Sequence, residues 1–221
     1  MLARRARRPG ILAGVGFTGW PVEGVEFYDG LEIDNSRAYW HANKATYDTC
    51  VKAPMEALLA ELAPAFGPGR IFRPNRDTRF SKDKTPYKTN CAAQLPGGYV
   101  SFSAEGLFAG AGLYMPSPEQ LQRYRDAVAD ERTGTELDGI VAALRKAKYD
   151  VSAREVLKTA PKGIDKDHPR IELLRQKGIV MSTSWPVGAW LGTKKAKDRV
   201  VTCLDAARPL NAWIERAVGV A

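Results

Sequence analysis

The first quarter of the chain carries apolar residues at the spacing of one helical face. The pattern starts at Arg37, directly after the capping candidates at 34–36, and predicts a long amphipathic helix. Pro54 is expected to kink or restart this helix, because proline cannot donate a backbone hydrogen bond. Pro64, followed by Gly67-Pro68-Gly69, is expected to end it. A shorter helix is expected over 25–31. The apolar stripe of the long helix consists of Trp40, Tyr47, Val51, Leu58 and Leu62.

The middle of the chain alternates between apolar and polar residues, which is the period of a half-buried strand. Turn residues at 96–98 and 105–106 separate the runs and predict hairpins between consecutive strands. Gly110 and Gly112 thin one strand surface, which indicates a bulge or close packing, and a helix lying against the sheet is the simpler explanation. We therefore predict an antiparallel meander with strands at 70–73, 91–95, 99–104 and 107–115.

Helical patterns return in the second half of the chain. Ser117 and Gln120 flank Pro118 in the arrangement of a capping box, so a helix should begin there. A second helix is expected to begin near Thr135, where apolar residues take up helical spacing. A third is expected to begin at 167–168 and to stop at Gly178, a favoured residue after a helix end.

The remaining segments complete the fold prediction. Residues 179–183 are expected to form a strand and residues 194–218 a long helix broken at Pro209, whereas 149–166 has only scattered apolar residues. Strands and helices occur in separate runs instead of βαβ alternation. The sequence therefore predicts a single α+β domain over residues 17–221, with an antiparallel β-meander packed against several α-helices.

Positive charge is concentrated in two places. The net charge is +8, and four arginines within residues 1–8 make residues 1–16 a basic leader that we expect to be disordered. Seven basic and only two acidic residues lie between 70 and 88. Cations at this density cannot be buried without partners. We therefore expect residues 73–90, which we call the basic loop, to lie at the surface, either solvated or facing an anion.

The basic loop supplies most of the candidate ligand-binding residues. Guanidinium groups suit bidentate contacts with phosphate or carboxylate, and ammonium groups act as point charges. A second candidate segment places Arg37, Trp40 and Lys44 near a helix start, where the dipole favours anions. Solvated charges on a capped helix would explain that segment equally well. The candidates in the loop are Arg73, Arg76, Arg79, Lys82, Lys84 and Lys88, with Asp77 and Asp83 orienting them.

Two residues are candidates for catalysis. Asp77 lies among the cations of the basic loop, and His168 titrates near neutral pH, as a general acid or base should. Arg170 is expected to line the edge of the same site. A structural role for His168 remains an open alternative, and His41 is expected in packing or at the surface.

Signatures of several common protein classes are absent from the sequence. It has no G-x-x-x-x-G-K-[ST] phosphate loop, no G-x-G-x-x-G after a strand, no H-E-x-x-H and no G-x-S-x-G. Three distant cysteines and two histidines offer little for a zinc site, so we expect no metal ligands and reduced thiols. The cofactor is unknown. No window approaches the length of a membrane span, and we expect a cytoplasmic protein without a membrane partner.

Three segments resemble a known bacterial family, the one catalogued as domain of unknown function 2461. They are R-D-T-R-F-S-K-D-K-T-P-Y-K-T at 76–89, N-S-R-A-Y-W-H-A-N-K-A-T-Y at 35–47, and D-H-P-R-I-E-L-L-R at 167–175. The resemblance runs in order from about residue 17 to the C-terminus. It implies that these segments share a site, but it brings no activity. Family members often have a second Asn and a Trp-Phe pair where this chain has Ser36 and Trp40-His41, which weakens His41 as a functional residue.

Three functional hypotheses follow from the residues. The leading one is that a basic pocket binds a phosphate- or carboxylate-bearing small molecule, either as a binding protein or as an enzyme. The alternative is a nucleic-acid or protein binding module that uses the basic loop, and its affinity for nucleic acid would fall steeply with salt. The third is a purely structural loop held by ion pairs, in which Arg79→Ala would damage folding more than binding.

Overall fold

The N-terminal third folds into helices that interrupt the predicted long stripe. The computed structural model describes residues 16–219, so the predicted leader, apart from Gly16, lies outside the described residues. The predicted long helix is divided into several shorter ones, and the first of these begins at Arg37. The side chain of Ser36 caps it by accepting a hydrogen bond from the Tyr39 amide at 3.1 Å. The bounds are α1 Val22–Ile33, α2 Arg37–Ala42, α3 Lys44–Thr46, a π-helical segment Tyr47–Lys52, and α4 Ala53–Phe66.

The two prolines of this region behave differently. Pro54 lies in the first turn of α4, which confirms the predicted restart, since a first-turn proline has no hydrogen bond to lose. Pro64 lies inside α4, so it does not end the helix as predicted. The helix ends at Gly67, the next residue of that prediction, whose φ of +81° suits glycine and whose amide donates to the Ala63 carbonyl at 2.9 Å.

Within residues 16–219, six strands form one antiparallel sheet in the order β1-β2-β3-β4-β6-β5. The first four are the predicted meander. The strand β6 pairs with β4, and β5, which the sequence did not reveal, pairs with β6 at the far edge. The bounds are β1 Arg70–Ile71, β2 Asn90–Leu95, β3 Gly98–Ser103, β4 Gly106–Leu113, β5 Asp150–Ser152 and β6 Ile179–Pro186.

In the second half of the chain, only some of the predicted helix ends agree with those in the structure. The capping box of Ser117 and Gln120 is present. The next helix begins before Thr135, because the Asp130 side chain caps it by accepting the Thr133 amide at 2.9 Å. The helix predicted to reach Gly178 is a single turn. The bounds are α5 Pro118–Ala129, α6 Glu131–Lys146, α7 Ile171–Leu174, α8 Lys195–Ala206 and α9 Arg208–Ala217, with Pro209 in the first turn of α9.

One face of the sheet, which we call the covered face, holds the two hydrophobic clusters. In the first, Val100 and Phe102 of β3 pack against residues of α1, α4 and the segment before α1. In the second, Met181 of β6 packs against residues of α5, α6, α8 and α9. Trp185 packs against both clusters. The side chains that alternate with these residues on the strands belong to neither cluster, and we call their side of the sheet the open face.

Candidate functional site

The basic loop extends β1 and β2 as an irregular hairpin. The Lys88 amide donates to the Pro74 carbonyl at 2.8 Å, and Asn75 forms an isolated antiparallel bridge with Tyr87. Backbone pairing therefore continues beyond the ends of the named strands. This pairing divides the loop into two parts: a base beside the sheet, which includes Arg73 and Lys88, and a tip at residues 77–85.

The two carboxylates of the loop are already bound by its own arginines. Arg79 donates to both oxygens of Asp77, at 2.9 Å from Nε and 2.7 Å from Nη2. Arg76 pairs with Asp83 and also donates to the Thr85 hydroxyl. The Arg79 side chain lowers the pKa of Asp77, and the Thr85 amide followed by Arg76 lowers that of Asp83 to about 2. Asp77 thus holds the Arg79 side chain through two hydrogen bonds, and a catalytic role for Asp77 stays a prediction.

The rest of the tip is exposed to solvent. Lys84 Nζ donates to the Thr78 carbonyl at 2.9 Å, and Lys82 is exposed. Phe80 is 95% exposed, with the Arg79 guanidinium 5.9 Å from its ring centroid. The tip therefore presents cations and one aromatic ring on a surface.

The base of the loop holds two cations that lack a carboxylate partner. In the described part of the chain, neither Arg73 nor Lys88 forms an ion pair. Lys88 Nζ lies 5.3 Å from the ring centroid of Phe72, and the Arg70 guanidinium lies 5.7 Å from the same ring. Burial, followed by repulsion from Arg73, lowers the pKa of Lys88. The charge of Arg73 also contributes to the lowered pKa of Asp77, but Asp77 forms its ion pair with Arg79, so no ion pair compensates the positive charge of the base.

The second candidate segment contacts the basic loop, as a shared site requires. The side-chain amide of Asn35 donates to the Tyr87 carbonyl and its oxygen accepts the Tyr87 amide, both at 3.1 Å. Trp40 stacks on the Tyr87 ring with the centroids 4.2 Å apart. These contacts fix the orientation of the loop base against α2.

The ligand-binding candidates of this segment have different environments. Trp40 is only 5% exposed, so it packs between helix and loop and is not free to contact a ligand. Arg37 is exposed, and Lys44 forms an ion pair with Asp48 one turn later. Ligand binding by Arg37 and Lys44 stays a prediction.

The segment that contains His168 and Arg170 packs against α5 and α6. The prediction that Arg170 lines the edge of a ligand site must be corrected. Its side chain is 5% exposed and pairs with Glu131 at 2.9 Å. Its Nε also donates to the Val128 carbonyl at 2.8 Å, so its donors are used at the end of α5. His168 Nδ1 accepts the Arg170 amide at 3.0 Å within one turn. A catalytic role for His168 stays a prediction.

A groove of about 820 Å³ lies on the open face, beside the base of the loop. Its floor is formed by β2, β3 and β4, and Phe72 and Thr89 line it where the loop meets the sheet. Concave sites of this volume accommodate small molecules. None of the six loop cations proposed from the sequence lines the groove. Phe72 does line it, and Lys88 at the base of the loop lies over the ring of Phe72, so the base is at the edge of the groove.

Aromatic and polar side chains share the floor of the groove. Tyr99 lies edge-on to Phe108 with the centroids 5.9 Å apart. The Asn90 side-chain amide donates to the Ser101 hydroxyl at 2.8 Å, on the strand next to it. Burial raises the pKa of Tyr99, so its hydroxyl remains protonated and can donate a hydrogen bond at neutral pH. The floor thus combines ring surfaces with hydrogen-bonding groups.

The two glycines of β4 allow β6 to pack closely against this strand. Gly110 stands directly opposite Tyr99 in the sheet, and Gly112 has a φ of +131°. A Cβ on Gly110 would lie 2.8 Å from the Met181 carbonyl oxygen, and a Cβ on Gly112 would lie 2.3 Å from the Ile179 carbonyl oxygen. The close packing that the sequence indicates is therefore present, but it comes from the backbone of β6, whereas the helices α8 and α9 contact β4 on the covered face.

The groove also carries negative charge on its rim. Glu32 at the end of α1 and Glu105 in the turn between β3 and β4 both line it. Neither carboxylate forms an ion pair within residues 16–219. Sequence analysis missed these residues and the groove floor. The available signal was the alternation in β2 to β4, where every second residue is small, polar or aromatic.

The described residues contain neither a cluster of metal-binding side chains nor a helix suited to a membrane. Across residues 16–219, no three His, Cys, Asp or Glu side chains converge as a metal site would require. None of the helices in the same range combines the length and apolar character needed to cross a bilayer. The three cysteines are free thiols, and burial raises the pKa of Cys91 and of Cys203 to about 12.

Comparison with known proteins returns one family. The family model described as "Conserved hypothetical protein (DUF2461)" matches residues 23–213, which is most of the chain. No curated protein and no solved structure matches the chain. The match includes the basic loop, the floor of the groove and the helical layer on the covered face.

Proposed function

The chain belongs to the family described as conserved hypothetical protein (DUF2461), and on that premise we propose that it binds an anionic small molecule in the groove. The ligand carries a phosphate or a carboxylate, which Arg73 and Lys88 bind at the base of the loop. It also has a flat apolar part, which packs on the rings of the floor. The proposal applies equally to a binding protein and to an enzyme that acts on such a ligand.

One observation carries the proposal: the charge at the base of the loop is not neutralised. Asp77 and Asp83 are the carboxylates of the loop, and they form ion pairs with Arg79 and Arg76. Arg73 and half-buried Lys88 repel each other at the edge of the groove. Holding two like charges together costs free energy, and a bound anion would remove that cost.

The floor of the groove supports a ligand with a ring. Phe72, Tyr99 and Phe108 form an aromatic row, with Phe72 tilted against Tyr99 at 6.4 Å between centroids. Rings that remain partly exposed on a surface can each gain about 0.5–1.5 kcal/mol from a stacked partner. Asn90 and Ser101 next to this row offer a hydrogen-bonding pair that would set the orientation of the ligand.

The rim carboxylates favour a small molecule over a nucleic acid in this groove. Glu32 and Glu105 would repel a phosphate backbone that ran along it. A compact ligand can place its anionic group at the base of the loop and a hydroxyl or amine at the carboxylates. The expected class is therefore a phosphorylated or carboxylated compound that also carries hydrogen-bond donors.

The test is a thermal unfolding screen with inorganic phosphate, nucleoside monophosphates, sugar phosphates and dicarboxylates. A ligand at about 100 times its Kd adds about 2.7 kcal/mol of stability, which should raise Tm by about 5–10 °C. The best ligand is then titrated into the double variant Arg73→Met/Lys88→Met. Loss of two charge-assisted hydrogen bonds should weaken binding by about 100-fold.

The matched control is Arg79→Met/Lys84→Met, which removes the same charge from the tip. We expect its affinity to stay within about twofold of wild type, because rim charges distant from the ligand are screened. Equal losses in both double variants would mean that only the overall charge matters. That result, or the absence of a Tm shift with every compound, would reject the groove as an anion site.

The exposed tip favours a second candidate function, docking to a nucleic acid. Phe80 is 95% exposed between Arg79 and Lys82, and such a ring flanked by cations can stack on an unpaired base. Binding of single-stranded oligonucleotides should then weaken steeply with salt and be lost in Phe80→Ala. The double variant at the base of the loop should keep this binding.

A further inference from the structure

A second concavity lies on the opposite side of the sheet, between α8 and the connection from α6 to β5. It has a volume of about 560 Å³, and we call it the helix-side cleft. Trp185 of β6 lines it, together with Lys148, Tyr149, Lys195 and Arg199. Since Trp185 packs against both hydrophobic clusters, the cleft lies where the two halves of the helical layer meet.

The guanidinium of Arg199 is held by ring contacts alone. It lies 4.4 Å from the centroid of Trp190 and 5.9 Å from that of Trp185. Within residues 16–219 it makes no ion pair and no hydrogen bond. Stacking occupies the faces of a guanidinium and leaves the N–H groups at its edge free to bind an oxyanion. The side chain is already ordered, so a ligand would meet a smaller entropy cost.

The charges around Arg199 also lack partners. Lys148, Lys195 and Arg199 line the cleft against a single carboxylate, Asp198, and none of the four belongs to an ion pair in the described ranges. Lys148 has a φ of +69°, a conformation that costs a non-glycine residue some free energy. Three unpaired cations beside half-buried indole rings are the groups that a ring-bearing anion requires.

We propose that the helix-side cleft is a second binding site, for a small organic phosphate that carries a planar ring. The phosphate binds to the edge of Arg199 and to the ammonium groups of Lys148 and Lys195. The ring packs against Trp185. This site is separate from the groove of the proposed function, because it lies on the covered side of the sheet, and neither site depends on the other.

Tryptophan fluorescence distinguishes the two sites. Of the five tryptophans, Trp20, Trp40 and Trp213 are at most 5% exposed. Trp185, which lines the cleft, and Trp190, which contacts Arg199, are half-buried. The groove on the open face is lined by phenylalanine and tyrosine, with no tryptophan among its lining residues. Phenyl phosphate, which has both the ring and the dianion, should therefore produce a saturable change in tryptophan fluorescence by binding in the cleft.

The decisive variant is Arg199→Lys, which keeps the charge but removes the planar fork. We expect its Kd for phenyl phosphate to rise at least about tenfold, equivalent to one lost charge-assisted hydrogen bond. Arg208→Lys is the matched control, since Arg208 also stacks on a ring, Phe66 at 4.9 Å, but is ion-paired with Asp205. Its Kd should match that of wild type within about twofold.

Lys195→Met tests the site without disturbing the stacked rings, because Lys195 is exposed. It should raise the Kd several-fold even if Arg199→Lys folds poorly. No saturable change with phenyl phosphate in the millimolar range would overturn the proposal, as would equal losses in Arg199→Lys and Arg208→Lys. The fluorescence response should persist in Arg73→Met/Lys88→Met, and its loss there would assign the signal to the groove and reject the cleft.

Discussion

The two faces of the sheet are built from the same strands but carry different kinds of residue. On the covered face, Val100 and Phe102 are fully buried under the helices. On the open face, Tyr99, Ser101 and Ser103 of the same strand line a groove. Side chains alternate across a strand, so neighbours in sequence belong to different environments.

We expect substitutions on the covered face to change mainly stability and substitutions on the open face to change mainly ligand binding. Residues of the covered face are constrained by close packing, where a change of even one methylene group affects stability. On the open face, Tyr99 and the hydrogen-bonded pair of Asn90 and Ser101 line the groove, and they are the residues that the proposed ligand would contact.

The largest effect is expected from Phe102→Ala on the covered face. Phe102 stacks on Trp20 with the centroids 4.9 Å apart, so the variant leaves a cavity and should lose about 3–5 kcal/mol of the free energy of unfolding. Phe108→Ala, on the open face of the next strand, should lose about 1 kcal/mol or less. Urea denaturation measures both, and similar losses would contradict the distinction between the faces.

Arg170→Met should cost about 3 kcal/mol of stability in the helical layer, because the carbonyls at the end of α5 lose a buried donor. Arg216 offers the control: its ion pair with Glu136 is exposed, and Arg216→Met should change stability by about 0–1 kcal/mol. The ligand affinity of folded Arg170→Met should equal that of wild type. A loss of ligand affinity without a loss of stability would show that Arg170 belongs to the binding site.

Two adjacent residues sharpen the comparison further. Tyr99→Leu should weaken ligand binding by about tenfold and change stability by less than about 1 kcal/mol, since its ring faces the groove. Val100→Ala should do the reverse, costing about 1–2 kcal/mol of stability and leaving affinity intact. Calorimetric titration beside denaturation separates the two quantities. Loss of affinity in Val100→Ala would show that the faces are coupled.

The smallest effect concerns pH and the tip of the basic loop. The pKa of Asp83 is lowered in the folded state to about 2, so its contribution is present above its unfolded pKa near 4 and is lost as the pH falls through about 2. The Thr85 amide, which donates to Asp83 at 2.9 Å, should report this in an NMR titration. Asp83→Asn should remove the transition. A Thr85 resonance that titrates near pH 4 in wild type would contradict the bound state of Asp83.

Much of the fold could be predicted from local signals. The alternation over β2 to β4, the capping box at Ser117 and the break at Pro209 each depend on a few neighbouring residues, and each is present in the structure. Short elements without a pattern, such as β5, could not be predicted. They are stabilised by pairing with β6, about 30 residues away, and not by their own sequence.

The environment of the candidate site residues could not be predicted for the same reason. Charge density could not separate Arg76 and Arg79, which form ion pairs within the loop, from Arg73 and Lys88, which form none in the described part of the chain. Nor could it reveal that Arg170 would anchor a helix end. Partners of this kind come from distant segments or from the fold of the loop itself.

Family membership and the periodicity of most strands and helices follow from the amino-acid sequence alone. Only the folded protein shows which side of the sheet the helices cover, which cations within residues 16–219 form no ion pair, and where concavities form. These two groups of properties differ in the distance along the chain between the residues that set them. Periodicity, capping and charge density are properties of neighbouring residues, whereas burial and ion pairing depend on segments that meet only when the chain has folded.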